Sequence, residues 1–408
     1  MNDNKDKKIF GLSRNVVFLG IVSFWNDLSS EMIFPFLPIF LKNYLGASSL
    51  FIGLIEGVAD STASILKIFS GRWSDLADRR KPFVVFGYSL SAVIKPLLSI
   101  AAAPWHALVL RFFDRTGKGF RDAPRDALIS FSTAKETLGR AFGFHRAMDT
   151  AGGALGPLLA FFVLPILDND LRKLFLFSFI ASFLAVLSLV FFVREVKKPI
   201  NNDNNFTEKL PAKKLSWALI KSLGAPFLIF VGVATVFSLG KASEAFLLLR
   251  AESLGLALAL LPIIYLVYNI SYAAFSTPAG ILADKFGHRK TFIFGVIIFI
   301  LSYFFFAKTT SLLGLWFVFG FYGIFSAFTD GVGRAIVAEL VVTEYRGLAY
   351  GIYNGATGIA LLPASVLFGL IWDKFNPESA FFYGAAMAAL ALVFFAIFFK
   401  PSGNHSYI

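Results

Sequence analysis

Long apolar runs separated by short polar stretches set the pattern of this chain. They lie near residues 15–41, 49–70, 82–103, 106–130, 141–166 and 172–193, and again near 226–249, 256–281, 290–308, 312–338, 347–372 and 380–399. A helix needs about 20 residues to cross a bilayer core of about 30 Å, so the pattern predicts twelve spanning helices. The longest interruption, Arg194 to Lys214, is rich in Asn, Lys and Pro and has no apolar period, which reads as a linker between halves. The chain therefore divides into a tail over 1–14, a six-helix bundle over 15–193, a linker over 194–216, a second six-helix bundle over 217–400 and a tail over 401–408. The predicted class is an all-α membrane protein.

Composition agrees with that pattern. Hydrophobic residues make up 57% of the chain, with 50 Phe, and the mean hydropathy of +0.70 exceeds what a soluble domain of this length could bury. The net charge of +12 does not point to nucleic acid, because long apolar runs interrupt the bases and most of them sit in alternate loops. Lys5, Lys7, Lys8, Arg14, Lys197, Lys198, Lys213 and Lys214 fall on one side, whereas the opposite loops carry only a few such as Lys42, Arg172, Lys173, Lys308 and Lys374. This asymmetry orients both termini to the cytoplasm, and a plasma membrane, the inner membrane of a bacterium, is the expected location. The first apolar run is too long for a signal-peptide core and stays as a span. Absent cysteine excludes disulfides and thiolate metal sites, the four His form no metal-ligand pattern, and no nucleotide-binding P-loop is present. No metal, cofactor or enzymatic chemistry is therefore expected, and a monomer is expected.

Charges fall where lipid should be. Asp27 and Glu31 share one face of the first span, and Glu56 and Asp60 one face of the second. At 1.5 Å per residue, Asp27 lies roughly 18 Å and Asp60 roughly 15 Å into a core of about 30 Å. An ionised carboxylate at mid-bilayer costs on the order of 3 kcal/mol even on the lenient insertion scale, so these acids must face water, pair with bases or bind protons. Clustered acids in a low-dielectric cavity can exchange protons near neutrality, which makes Asp27, Glu31, Glu56 and Asp60 the candidate proton-coupling set. The alternative is a buried ion-pair network that fixes helix packing. The fourth span offers the bases, since Arg111, Asp114, Arg115, Lys118, Asp122 and Arg125 follow three- and four-residue steps down one face. In the second half, Lys241, Glu244, Asp330 and Arg334 are the buried charges, and Tyr265, Tyr268, Asn269, Tyr322, Tyr353 and Asn354 supply hydrogen-bonding groups. Arg111, Arg115, Tyr265 and Asn269 are the candidate substrate-binding residues.

One stretch occurs twice. Gly71 to Lys81, GRWSDLADRRK, returns 209 positions later as Gly280 to Lys290, GILADKFGHRK. Both copies run from an apolar segment through Gly-x-x-x-Asp into a basic cluster. In the second, Gly280, Asp284, Lys285, Gly287, Arg289 and Lys290 fit the loop signature of the major facilitator superfamily, with His288 in a usually basic slot; the first departs at Leu76 and Asp78. The chain thus resembles that family. The resemblance implies a secondary transporter of two six-helix bundles, related by a pseudo-two-fold axis along the membrane normal and working by alternating access. It also implies that Asp75, Arg79, Arg80, Asp284, Arg289 and Lys290 latch the cytoplasmic gate. Gly152, Gly156 and Pro157 in the fifth span resemble the family's motif associated with proton-driven exporters, although small residues at this spacing also pack helices closely.

Function follows from what protons can neutralise. Protonated acids lose their charge while Arg111 and Arg115 keep theirs, so a protonated cavity is net positive and suits an anionic or zwitterionic solute. The expected activity is proton-coupled export of such a solute by antiport. A multidrug exporter of lipophilic cations, a proton-symporting importer, and a channel or scaffold are the alternatives.

Overall fold

The computed structural model of the protein describes residues 9, 11–134, 137–196, 221–342 and 345–398. The expected tails at 1–8 and 401–408, and the linker from Lys197 onward, lie outside them. Twelve spans are found among the described residues. In the first half they are Arg14–Ile33 (continued past a break by Leu37–Ile39 and a π-helical turn, Phe40–Tyr44), Ser49–Leu76, Lys81–Leu97, Pro104–Phe131, Leu138–Ile166 and Leu171–Phe192. In the second they are Ala225–Gly240 continued by Ala245–Ser253, then Leu261–Phe286, His288–Lys308, Leu312–Leu340, Arg346–Lys374 and Pro377–Phe398. Eleven are long and apolar enough to cross a membrane. The fourth span falls short on composition, because the charged stripe beginning at Arg111 runs through its 28 residues.

The two halves repeat each other in detail. The first and seventh spans both break near their far ends, at Phe34–Phe36 and at Lys241–Glu244. Pro35 explains the first break, since it has no N–H to donate to the helix. The repeated loops also correspond: Gly287 has φ 95° between the eighth and ninth spans, and Asp78, 209 positions earlier, has φ 48°. Each loop takes a positive φ at this position, which Gly supplies freely and Asp tolerates better than most. This accounts for the departure from the signature at Asp78.

Both loops lie on one side of the molecule. The second and eleventh spans run antiparallel, with Ser49 beside Gly369 and Ser64 beside Gly358, so Leu76 ends near where Arg346 begins. His288, at the start of the ninth span, meets Glu339 near the end of the tenth at 2.6 Å. We refer to this as the loop side.

On the far side the halves are sealed together. A Cβ at Gly53 would lie 2.1 Å from the Ser365 carbonyl oxygen, and one at Gly369 would lie 2.2 Å from that of Ser49, so only glycine permits this approach. The Asp373 carboxylate crosses the seam and accepts from the Ser49 and Leu50 amides at 3.0 and 2.8 Å, filling orphan donors at the start of the second span. Lys42 and Asn43 reach Glu252 of the other half at 2.9 and 3.2 Å. The second bundle is filled by an aromatic core, in which Phe237, Phe299, Tyr303, Tyr322 and Phe325 pack ring against ring. The interior of the first bundle is polar instead.

Candidate functional site

With the far side closed, space remains in the loop-side half of the seam. A cavity of about 610 Å³ is lined from the first half by Asp60, Ser64, Lys67, Arg115, Lys118 and Asp122. Phe237, Lys241, Phe292, Asp330, Arg334, Tyr350, Tyr353 and Asn354 line it from the second. A smaller chamber of about 120 Å³ lies inside the first bundle, walled by Asp27, Ser30, Glu31, Lys95, Arg111, Asp114, Arg115, Lys118 and Arg121. Arg115 and Lys118 belong to both walls.

The four acids that the sequence groups as one coupling set are separated by the fold. Glu56 is buried against Arg111 in a bidentate pair, with Nε to Oε1 at 3.1 Å and Nη2 to Oε2 at 2.8 Å. Asp114 also accepts from Arg111, at 3.3 Å. Arg111 and Glu56 thus satisfy each other, which is the geometry of a structural ion pair. Asp60 stands in the wall of the large cavity. Asp27 and Glu31 remain together in the small chamber, and among the described residues neither has a base within 4 Å. Asp27 accepts from the Asn26 amide at 3.0 Å, and Glu31 keeps one buried oxygen without a hydrogen-bond partner.

The bases divide in the same way. Among the described residues Arg115 and Lys118 have no carboxylate within 4 Å, and the buried Arg115 Nε has no hydrogen-bond partner. Arg121 instead donates to Ser91 at 2.8 Å and lies over the Tyr88 ring at 4.5 Å. Lys95 is a buried cation that the sequence reading passed over, and its Nζ donates to the Asn26 carbonyl at 3.2 Å. A single Lys well inside an apolar run was the available signal. Lys67, which pairs with Asp122 at 3.8 Å, sits near a helix end and looks in sequence like an ordinary headgroup anchor.

In the second half Tyr265 and Tyr268 donate to the two oxygens of Glu244, at 3.0 and 2.8 Å. Tyr265 is therefore committed to Glu244, and Asn269 lines neither cavity. Lys241 lies 3.9 Å from Asp330 and over the Phe325 ring.

At the first loop, Arg80 donates to Asp75 at 3.0 Å and to Asp78 at 2.8 Å, and its guanidinium lies over Phe131. Glu195, just past the sixth span, accepts from the Arg80 and Lys81 amides, so none of these partners comes from the second bundle. Arg79 and Lys290 are exposed, and the exposed Asp284 lies 3.6 Å from His288. Arg289 is half-buried beside them. Gly152 and Gly156 lie against the first span, where a Cβ would meet the Phe24 carbonyl oxygen at 2.4 Å and Glu31 Cβ at 2.8 Å, and Pro157 is buried next to them. These glycines bring the fifth span onto the first at the level of Asp27 and Glu31.

Comparison with known proteins agrees with this architecture. The sequence profile described as Major Facilitator Superfamily matches residues 19–264 and 242–406. The chain belongs to the major facilitator superfamily. Among superfamily members it is 36% identical over 396 residues to an uncharacterized MFS-type transporter of Methanocaldococcus jannaschii, covering 96% of this chain and 95% of the relative. It is 28% identical over 294 residues to the multi-drug resistance efflux pump PmrA of Streptococcus pneumoniae, covering 68% of this chain and 70% of the pump. The crystal structure of the nucleoside transporter NupG superposes with a TM-score of 0.78 at 15% identity, over 94% of this chain and 100% of that one. A POT family transporter in complex with 5-aminolevulinic acid gives 0.75 at 14% identity, over 96% and 97%. The last two likenesses concern the fold. As a superfamily member the chain is a transporter in a membrane, and it is not an enzyme.

Proposed function

We propose that the protein is a proton-coupled secondary transporter of a small anionic or zwitterionic organic solute, exporting it by antiport through alternating access. The observation that carries this reading is the pair Arg115 and Lys118, which lack a carboxylate within 4 Å among the described residues and stand in the wall shared by both cavities. The large cavity has five basic residues (Lys67, Arg115, Lys118, Lys241, Arg334) against three acidic ones (Asp60, Asp122, Asp330), an excess that favours an anion. Its volume of about 610 Å³ suits a small organic molecule. Asp27 and Glu31, without ion-pair partners and next to these bases, are the coupling acids. The solute anion compensates Arg115 and Lys118 in one half of the cycle, and the two acids carry protons in the other, after the solute has left.

The remaining assignments rest on the same reading. The bases at Arg72, Arg79, Arg80, Lys285, Arg289 and Lys290 favour a cytoplasmic loop side, with both termini there and the cavity lying toward the cytoplasm of a plasma membrane. The bundles run over 15–193 and 217–400, joined by 194–216, and the chain works as a monomer. The Asp75–Arg80 and Asp284–His288 clusters, together with Gly152, Gly156 and Pro157, belong to the gate. Efflux of lipophilic cations is the second reading. It is favoured by the likeness to PmrA and by unpaired Asp27 and Glu31 within reach of an aromatic-walled cavity.

The test is thermal stabilisation of the purified protein by a panel of carboxylates, phosphates, zwitterions and lipophilic cations. With a stabilising anion, Arg115→Lys should weaken binding by about 1 kcal/mol, roughly five-fold, because Lys lacks the bidentate fork. Unchanged anion binding in Arg115→Lys and Arg115→Gln, or tight cation binding that Asp27→Asn abolishes, overturns the anion reading.

A further inference from the structure

The first bundle holds a second group of titratable side chains, one buried and one half-buried, that neither cavity touches. Asp149 in the fifth span accepts a hydrogen bond from Ser23 of the first span through Oδ1, and its Oδ2 lies 3.6 Å from His145 Nδ1 one turn away. His145 is only 4% exposed, and its Nε2 is buried with no hydrogen-bond partner among the described residues. On the inner side of this group Asp149 lies within electrostatic range of Asp27. Around His145 stand Arg125, Asp126 and Asp122 of the fourth span. Arg125 is tied to Asp126 at 2.9 Å, lies 3.8 Å from Asp122 and is also within electrostatic range of Asp149, with which it forms no ion pair within 4 Å among the described residues. Counting from Leu138, His145 lies roughly 10 Å and Asp149 roughly 16 Å from the loop-side end of the fifth span. Neither Ser23, Asp149 nor His145 lines the large cavity or the small chamber, whereas Asp27 does line the chamber.

We propose that Asp149 and His145 form the proton route between Asp27 and the loop-side water, running inside the first bundle and apart from the cavity that takes the solute. It rests on the reading of Asp27 as a coupling acid. The step balances as follows: a proton leaving the Asp27 carboxyl passes to the Asp149 carboxylate, which gives its proton to the lone pair of neutral His145 Nδ1. The resulting imidazolium releases its Nε2 proton to loop-side water that reaches this buried edge of the ring, which leaves the Nδ1–H tautomer, and a flip of the ring with re-exchange of the proton restores the Nε2–H form. A small rotation of the ring shortens 3.6 Å to a hydrogen bond. Ser23 fixes the carboxylate that must face both neighbours. Separate routes let the coupling proton move while the solute fills the seam.

The test uses the full chain in proteoliposomes, with no solute present, and time-resolved infrared detection of carboxyl C=O bands after a pH jump. Asp27→Asn identifies the Asp27 band by removing it. His145→Gln and Asp149→Asn should then slow the rise of that band on the order of 10²-fold while leaving its final amplitude intact. Added imidazole should restore the rate in His145→Ala. If either variant fails to give a cooperative thermal transition, Ser23→Ala, which removes one hydroxyl, carries the test with a slowed rise expected. An unchanged rate in folded variants, or a loss of amplitude at normal rate, overturns the route. A wild-type spectrum that Asp27→Asn leaves unaltered instead overturns the coupling-acid reading itself.

Discussion

Glu56→Gln separates a structural ion pair from a coupling acid. In the native protein both Glu56 oxygens accept from Arg111, at 3.1 and 2.8 Å, and both residues are buried. The Gln side chain keeps one acceptor and places an NH₂ against a guanidinium N–H, so one bond is lost and two donors face each other. Removing one partner of a buried pair costs about 3–5 kcal/mol, because the remaining charge stays in a low-dielectric interior. Asp114 still accepts from Arg111 at 3.3 Å, so the lower end, about 3 kcal/mol, is expected. The double change Glu56→Leu with Arg111→Met should recover most of that loss, since replacing both partners with apolar groups is often neutral or stabilising. The assay is unfolding of the detergent-purified protein followed by Trp fluorescence, with pH-driven transport measured in parallel. Two results refute the structural account. One is a Glu56→Gln protein within about 0.5 kcal/mol of wild type, the level expected of a surface change. The other is a stable protein that has lost only its proton coupling, which returns Glu56 to the coupling set.

Two further outcomes are expected. Gly53→Val places side-chain atoms where a Cβ alone would be 2.1 Å from the Ser365 oxygen, so the far side cannot close and the loop-side cavity should be depopulated. The chain has no cysteine, so maleimide labelling of a single Ser64→Cys in the cavity wall reads this directly, and equal labelling with and without Gly53→Val counts against the seal. Gly287→Ala, at φ 95°, should lower stability by about 1–2 kcal/mol because an L side chain is strained in the left-handed region. An unchanged unfolding temperature would mean that the loop adjusts at no cost.

The number of spans, the break into halves, the repeated loops and the charged face of the fourth span were all legible in the sequence. Each is a local property: hydropathy over about 20 residues decides insertion, and a step of three or four places side chains on one helical face whatever the surroundings. The fold added that Gly287 and Asp78, at corresponding positions of the two loops, both have positive φ. What the sequence could not say was which charge meets which. Asp27, Glu31, Glu56 and Asp60 look alike on two helices, yet Glu56 finds Arg111 across 55 positions while Asp27 and Glu31 find no base within 4 Å among the described residues. Tyr265 and Asn269 lie on the same helix, but only the tyrosine reaches Glu244. These outcomes depend on how each helix is rotated and how closely it approaches its neighbour. Rotation and approach are set by contacts such as Gly152 on Phe24 and Gly53 on Ser365, between residues 128 and 312 positions apart. A charge that lands opposite its partner becomes part of the frame; one that lands opposite a cavity is left available for protons or solute.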